Sequence, residues 1–183
     1  MTLVISKDVP WNATWSAEER HEIRPCRHIG MNLAIWSPHK PGEGRPLFAK
    51  PHMVRQRKSI VDMRCTVCGE RTDWRDRWWF PRGSWNEGWW MSTEAPVHLR
   101  CADLARHACP KLRTAGGDPI PFPGGSKVLS AIVGGHATDK DFGVSIAGRR
   151  VVGHLKLAWR RPLFLASITE TSQCPLDYRS TAV

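Results

Sequence analysis

No stretch of this 183-residue chain approaches the roughly 18 consecutive apolar residues that a membrane-spanning helix needs. A membrane protein is therefore not expected. The first thirty residues also lack the apolar core of a secretory signal, because polar and charged side chains follow residues 1–5 at once. The expected setting is the cytoplasm. Acidic residues are scarce, with 17 Asp and Glu against 27 Lys and Arg, for a formal charge of +10. No internal repeat or heptad pattern is present, and Gly124-Gly125-Ser126-Lys127 fails the spacing of a phosphate-binding P-loop and reads as a turn. The His-x-Glu with Pro-Cys-x-x-Cys pattern of zinc deaminases is missing as well. No nucleophile–base pair stands out, so no catalytic residue is assigned and no small-molecule substrate is inferred.

The chain does hold enough apolar residues, 41%, for a modest core, but its 14 Pro and 15 Gly predict a loop-rich fold. Such a chain gains from a metal staple. Six cysteines without an export signal, two of them in a Cys-x-x-Cys pair, favour metal over disulfides.

The pair is Cys65-Thr66-Val67-Cys68-Gly69. Zinc takes four soft or borderline ligands in a tetrahedron, and two residues across a tight turn supply half of it. A glycine after the second cysteine allows the positive φ that wraps the chain around an ion. The other half must come from His98, Cys101, His107 or Cys109. Residues 97–108 have helical periodicity, with Pro110 ending the helix. At about 1.5 Å per residue, Cys109 lies roughly 12 Å along the axis from Cys101, too far to share one ion. His98 and Cys101, three residues apart, converge at the helix N-terminus. Cys65, Cys68, His98 and Cys101 are thus the expected ligands of a structural Zn2+, with Cys109 replacing His98 if the helix breaks early. Cys26, Cys109 and Cys174 otherwise read as buried thiols.

The expected fold class is α+β, with a small zinc-stabilised, treble-clef-like centre, β-hairpins and a few short helices. Residues 1–44 read as an irregular arm with a short helix over 16–23, and Trp11 and Trp15 as anchors. Residues 45–113 form the knuckle core. Within them, 52–63 suit a helix that exposes an Arg-Gln-Arg-Lys run, and 74–90, with six of the ten tryptophans, suit a hairpin turning at 81–84. Residues 114–168 read as a β-rich part packed on the core, with an apolar element at 128–133 and a hairpin turning at 147–149. A flexible tail over 169–183 follows.

The positive charge is concentrated, with six basic residues against one acid over 45–64 and five against none over 149–161. Such patches are the electrostatic footprint of nucleic-acid binding. The contacts expected from sequence are Arg55, Arg57, Lys58, Arg64, Arg149 and Arg150 on phosphates, with Trp79 and Trp89 stacking on bases. Trp78 and Trp90 are assigned to the core. A protein partner is the alternative, since exposed Trp and Arg also dominate protein–protein hot spots.

Four motifs carry a resemblance: Arg45-Pro46-Leu47-Phe48, His52-Met53-Val54-Arg55-Gln56-Arg57, Cys65-Thr66-Val67-Cys68-Gly69, and Cys101-Ala102 through Cys109-Pro110-Lys111-Leu112. Over about a third of its length the chain resembles an uncharacterised group of small proteins from actinobacteria and their phages. It departs from them in having His98 where the group has a cysteine. The resemblance implies a phage or mobile-element setting and no activity. The treble clef also looks like the scaffold of HNH endonucleases, but the residues that hold their metal and activate water are not found at corresponding places, and a nuclease ranks last.

Overall fold

The computed structural model describes residues 9–115 and 117–171. The fold is α+β. In chain order its elements are β1 (Ala13–Trp15), β2 (Glu22–Cys26), β3 (Asn32–Trp36), β4 (Pro46–Pro51), α1 (Met53–Val61), β5 (Trp78–Trp79), β6 (Ser84–Asn86) and β7 (Trp89–Ser92). They continue with α2 (Leu99–Ala108), α3 (Pro110–Ala115), β8 (Ile120–Pro121), β9 (Lys127–Val133), α4 (Gly135–Phe142), β10 (Val151–Arg160) and α5 (Arg161–Thr171).

Six strands form the main sheet, in the order β2-β3-β10-β7-β6 with β9 also paired to β10. β10 organises it. One edge of β10 runs antiparallel to β9 over residues 151–158. The other edge is shared, parallel to β3 at Val152 and antiparallel to β7 at residues 157–160. β10 is buried along almost its whole length, as its near-continuous apolar sequence requires. Gly153 sits at the register shift with β9, and a Cβ there would lie 2.7 Å from Val133 Cγ1.

Between β3 and β7 neither neighbour reaches the middle of β10, and helix α1 supplies the missing partners. The Gln56 side chain donates to Leu155 O at 2.9 Å and accepts from Leu155 N at 3.0 Å, as a strand would. It also donates to Thr93 O at 3.0 Å. Arg57 donates to Gly153 O and to Ile35 O. Arg55 forks onto the buried Glu18 carboxylate at 2.8 and 2.7 Å, and donates to Ala13 O. His52 caps α1 by accepting from Arg55 N, and its Nε2 donates to Pro38 O at 2.9 Å. Arg55 and Arg57 are only 2% and 1% exposed. Arg55, Gln56 and Arg57 of the run expected on the surface are therefore a polar part of the core, and Lys58 is half-buried.

The aromatic core lies under the other half of β10. Trp79 packs against Trp159, Phe122 and Phe164, and Phe164 stacks on Trp90 at 4.9 Å. Trp79 is 1% exposed, which corrects its assignment as a stacking surface. Trp90 is buried as expected, and Trp78 is half-buried against the knuckle.

Other expectations change too. Residues 13–36 carry three strands, β1 paired with β4 and β2 and β3 in the main sheet, so they are not an irregular arm; residues 16–18 make only a 3-10 turn before β2. Pro25 sits opposite Leu33 in the antiparallel β2–β3 pair, so residues 22–26 are strand instead of a helix tail. The Trp-rich hairpin turns at Glu87 and Gly88, both at positive φ, and Trp78–Trp79 pairs instead with β8. A left-handed turn does occur at Ala147 and Gly148, but the partner of β10 is β9, with α4 between them. Residues 114–168 supply the central strand of the main sheet as well as packing beside the knuckle. The expected tail lies outside the described residues from 172 on, as does Cys174. No described helix is long and apolar enough to cross a membrane.

Candidate metal centre and basic surface

The segment from Arg64 to Arg71 doubles back on itself through a bridge between those two residues. Cys65 N donates to Glu70 O and Gly69 N to Cys65 O, both at 2.8 Å, which closes the turn between the cysteines. Gly69 has φ +80°, and a Cβ there would lie 2.6 Å from Trp11 Cγ. Both the backbone and the packed indole exclude a side chain at this position. The N-terminal segment is strapped onto the same turn, with Trp11 N donating to Val67 O and Asn12 N to Thr66 O. Trp11 is thus an anchor, as expected. Arg64 braces the far side, donating to Gly69 O at 2.9 Å and pairing with Asp62 at 3.3 Å.

Helix α2 brings the second pair. His98 is its N-cap residue and Cys101 lies in its first turn, while Asp76 Oδ1 accepts from Leu99 N at 2.8 Å. A bridge between Trp78 and Val97 fixes the approach to the helix. The ligand atoms of Cys65, Cys68, His98 and Cys101 all lie within 4.8 Å of one another. Nδ1 of His98 is 3.4 Å from Cys68 Sγ and 3.9 Å from Cys101 Sγ. A zinc tetrahedron of these donors has edges of about 3.6–3.8 Å. His98 Nε2 donates to Arg71 O at 3.2 Å, which leaves Nδ1 with its lone pair toward the sulfurs. The four residues are close enough to hold a metal ion.

Electrostatics at the cluster follow from crowding. Burial, then the neighbouring thiols of Cys65 and Cys68, pushes the Cys101 thiol up to about 12. Burial and Cys65 also raise Cys68, against a lowering hydrogen bond from the Glu70 backbone. Metal binding requires thiolates, and a divalent cation relieves the repulsion among them. Cys109 and His107 are outside the cluster; His107 Nδ1 donates to Asp103 O on its own helix.

The residues expected to contact a partner separate into three groups. Arg55, Arg57 and Trp79 are interior and unavailable to phosphates or bases. Arg64 is half-buried against the knuckle and Lys58 half-buried on α1, while Arg149 is exposed but donates to Ile146 O and Ser145 O. Arg150 is exposed. Trp89 is half-buried, with Arg160 5.3 Å and Lys127 5.6 Å from its ring centroid.

Next to Trp89 the structure gathers residues that the sequence did not single out. Trp85, 37% exposed, has the Arg161 guanidinium 5.5 Å from its ring, and Arg161 N donates to Gly88 O. Lys127, Arg160 and Arg161 are exposed, with Glu87 the acid of the adjoining turn. Their signal was the acid-free run over 149–161 beside a Trp-rich hairpin, but only strand register joins the two. No family model matches the chain, and no curated protein or solved structure is significantly similar to it.

Proposed function

We propose that this chain is a zinc-stabilised binding protein, with a treble-clef-like centre, that contacts nucleic acid through the Trp85–Trp89 face. Three sulfurs and one imidazole suit zinc among the common ions. Four protein ligands leave no position for a water or substrate, so the ion's role is structural. A knuckle, a short strand pair and a helix carrying the last two ligands is the treble-clef order.

The observation that carries the partner assignment is the meeting of two accessible indoles with Lys127, Arg160 and Arg161 in a chain of charge +10. Cations track a phosphate backbone while indoles stack on unpaired bases. The test is an electrophoretic mobility titration of zinc-loaded protein with single- and double-stranded DNA and RNA across salt. Affinity should fall linearly with log salt, and the Arg160→Ala/Arg161→Ala variant should lower the slope by about 1.5–2. Trp89→Ala should cost single strands about 1–3 kcal/mol. Absence of binding at physiological salt would reject the reading.

A second reading, a protein-interaction factor such as an inhibitor of host defence or a virion component, is favoured by β9. Among the described residues this strand pairs only with β10, and it exposes Val128 (47%), Leu129 (39%) and Ile132 (43%). A free apolar edge suits strand addition by a partner. Salt-insensitive capture through β9 would select this reading. In either case the setting is that of a phage or mobile element, as the resemblance implies.

A further inference from the structure

Beside α1 lies a cavity of about 340 Å³, and it is basic. Five cations line it, Arg24, Arg27, Arg55, Arg57 and Lys58, with no carboxylate among the lining residues. Two of the five are neutralised nearby, Arg24 by Glu22 and Arg55 by Glu18. Asp62, close enough to act on His28, is held by Arg64. Arg27, Arg57 and Lys58 have no ion pair among the described residues.

Arg57 is the informative member. It is a guanidinium 1% exposed whose fork is spent on two backbone carbonyls, and its Nε has no hydrogen-bond partner among the described residues. A buried charge without a counter-charge is costly, and an anion in the adjoining cavity removes that cost. Arg55 Nε is likewise buried and without a partner. Burial and adjacent cations hold His28 and His39 below the ordinary histidine range. Near pH 7 the charge facing a ligand is therefore that of the arginines and Lys58.

The volume is about ten times a water molecule's share of the liquid and at the lower end of small-molecule sites. A bare oxyanion would leave most of it unfilled. Trp36, with the Arg24 guanidinium 3.9 Å from its ring centroid, and Trp11, whose indole packs on Gly69, line the same space as its aromatic wall for a planar group. We propose that this cavity binds the phosphomonoester of a nucleotide, the phosphate meeting Arg27, Arg57 and Lys58 and the base meeting the indoles. The ligand is either a free nucleoside monophosphate or the 5′-phosphorylated end of a strand, which share this chemistry. The site is separate from the Trp85–Trp89 face, and the inference stands without that reading.

The experiment is isothermal titration of the zinc-loaded full chain with adenosine monophosphate, inorganic phosphate and adenosine, and with an oligonucleotide bearing a 5′-phosphate or a 5′-hydroxyl. The monophosphate should bind at least about tenfold more tightly than adenosine, a difference of about 1.4 kcal/mol. Arg27→Gln/Lys58→Gln, which leaves the buried arginines in place, should weaken it by at least the same factor. Arg113→Gln on α3 should leave it unchanged. A 5′-phosphorylated strand that binds at least about tenfold more tightly than its 5′-hydroxyl counterpart assigns the strand end, and equal binding of the two strands beside a bound monophosphate assigns the free nucleotide. No binding of either phosphate at millimolar concentration, or binding untouched by the Arg27/Lys58 change, overturns the proposal.

Discussion

Replacing Gln56 with Met tests whether a side chain completes the main sheet. Met matches Gln in length and helix propensity, so α1 itself should form as before. The change removes both hydrogen bonds to Leu155, leaving a buried N–H and a buried C=O unpaired on the central strand. Each such group costs about 1–3 kcal/mol, for about 2–6 kcal/mol in all. The Thr93 carbonyl belongs to an exposed residue and should recover its partner from water. In a chain of this size the loss corresponds to a fall in Tm of about 5–20 °C. Thermal and urea denaturation of zinc-loaded protein measure it, with amide exchange at Leu155 as the local readout. Lys58→Met, two residues further along α1 and half-buried, should change stability by less than about 1 kcal/mol. If Gln56→Met melted within about 2 °C of the parent and Leu155 kept its protection, the strand-substitute account would be wrong.

Cys68→Ser should abolish stoichiometric zinc by atomic absorption and unfold the knuckle, whereas Cys109→Ser should retain both metal and Tm. Gly69→Ala should cost about 1–2 kcal/mol from its left-handed backbone and more from the collision with Trp11. In a Trp11→Ala background only the backbone cost should remain, so the two changes should be non-additive in a double-mutant cycle. Burial, then Arg55, lowers His52 from 6.5 to about 4. The unfolded chain therefore takes up a proton at higher pH than the folded one, and stability is full above about 6.5 and lost as pH falls toward 4. The loss is about 3 kcal/mol, and His52→Asn, which keeps a capping oxygen, should flatten a Tm-against-pH curve in excess zinc. Glu18 acts lower on the scale. Burial alone would raise its pKa, but Arg55, the Trp15 and Lys40 amides and His52 together depress it. Its stabilisation is present above about 4.5 and fades as pH falls through the folded value, steepening the loss at the acid end.

The metal ligands were legible because their geometry is local. Cys65 and Cys68 share one turn, His98 and Cys101 share one helical turn, and elementary spacing decides which atoms meet. Helix α2 and strand β9 were legible for the same reason, through periodicity and a short apolar run. Helix α1 was legible as a helix but not in its facing. Charge normally marks a solvated surface, and nothing near Arg55 or Arg57 in sequence shows that Glu18 and the carbonyls of Ile35 and Gly153 await them. The cavity is invisible for a related reason, since its walls come from residues 11, 24–28, 36–39 and 52–58. The tryptophans misled through their density. Trp78 and Trp79 pair with residues 120–121 across an intervening hairpin, a connection that no local pattern announces.

The position of β10 well after the metal ligands in the chain sets an order of events during synthesis. All four metal ligands have been synthesised by residue 101, and the contacts that bring them together span at most 36 residues. The Gln56–Leu155 bonds span 99. Contacts of long sequence separation form late, and the nascent chain emerges at roughly 5–20 residues per second. For several seconds the ribosome-bound protein should carry a formed metal knuckle beside an open sheet, with Ala34, Trp79 and the Arg57 guanidinium all waiting for one strand. A stall before β10 has cleared the ribosome would leave that intermediate exposed to aggregation.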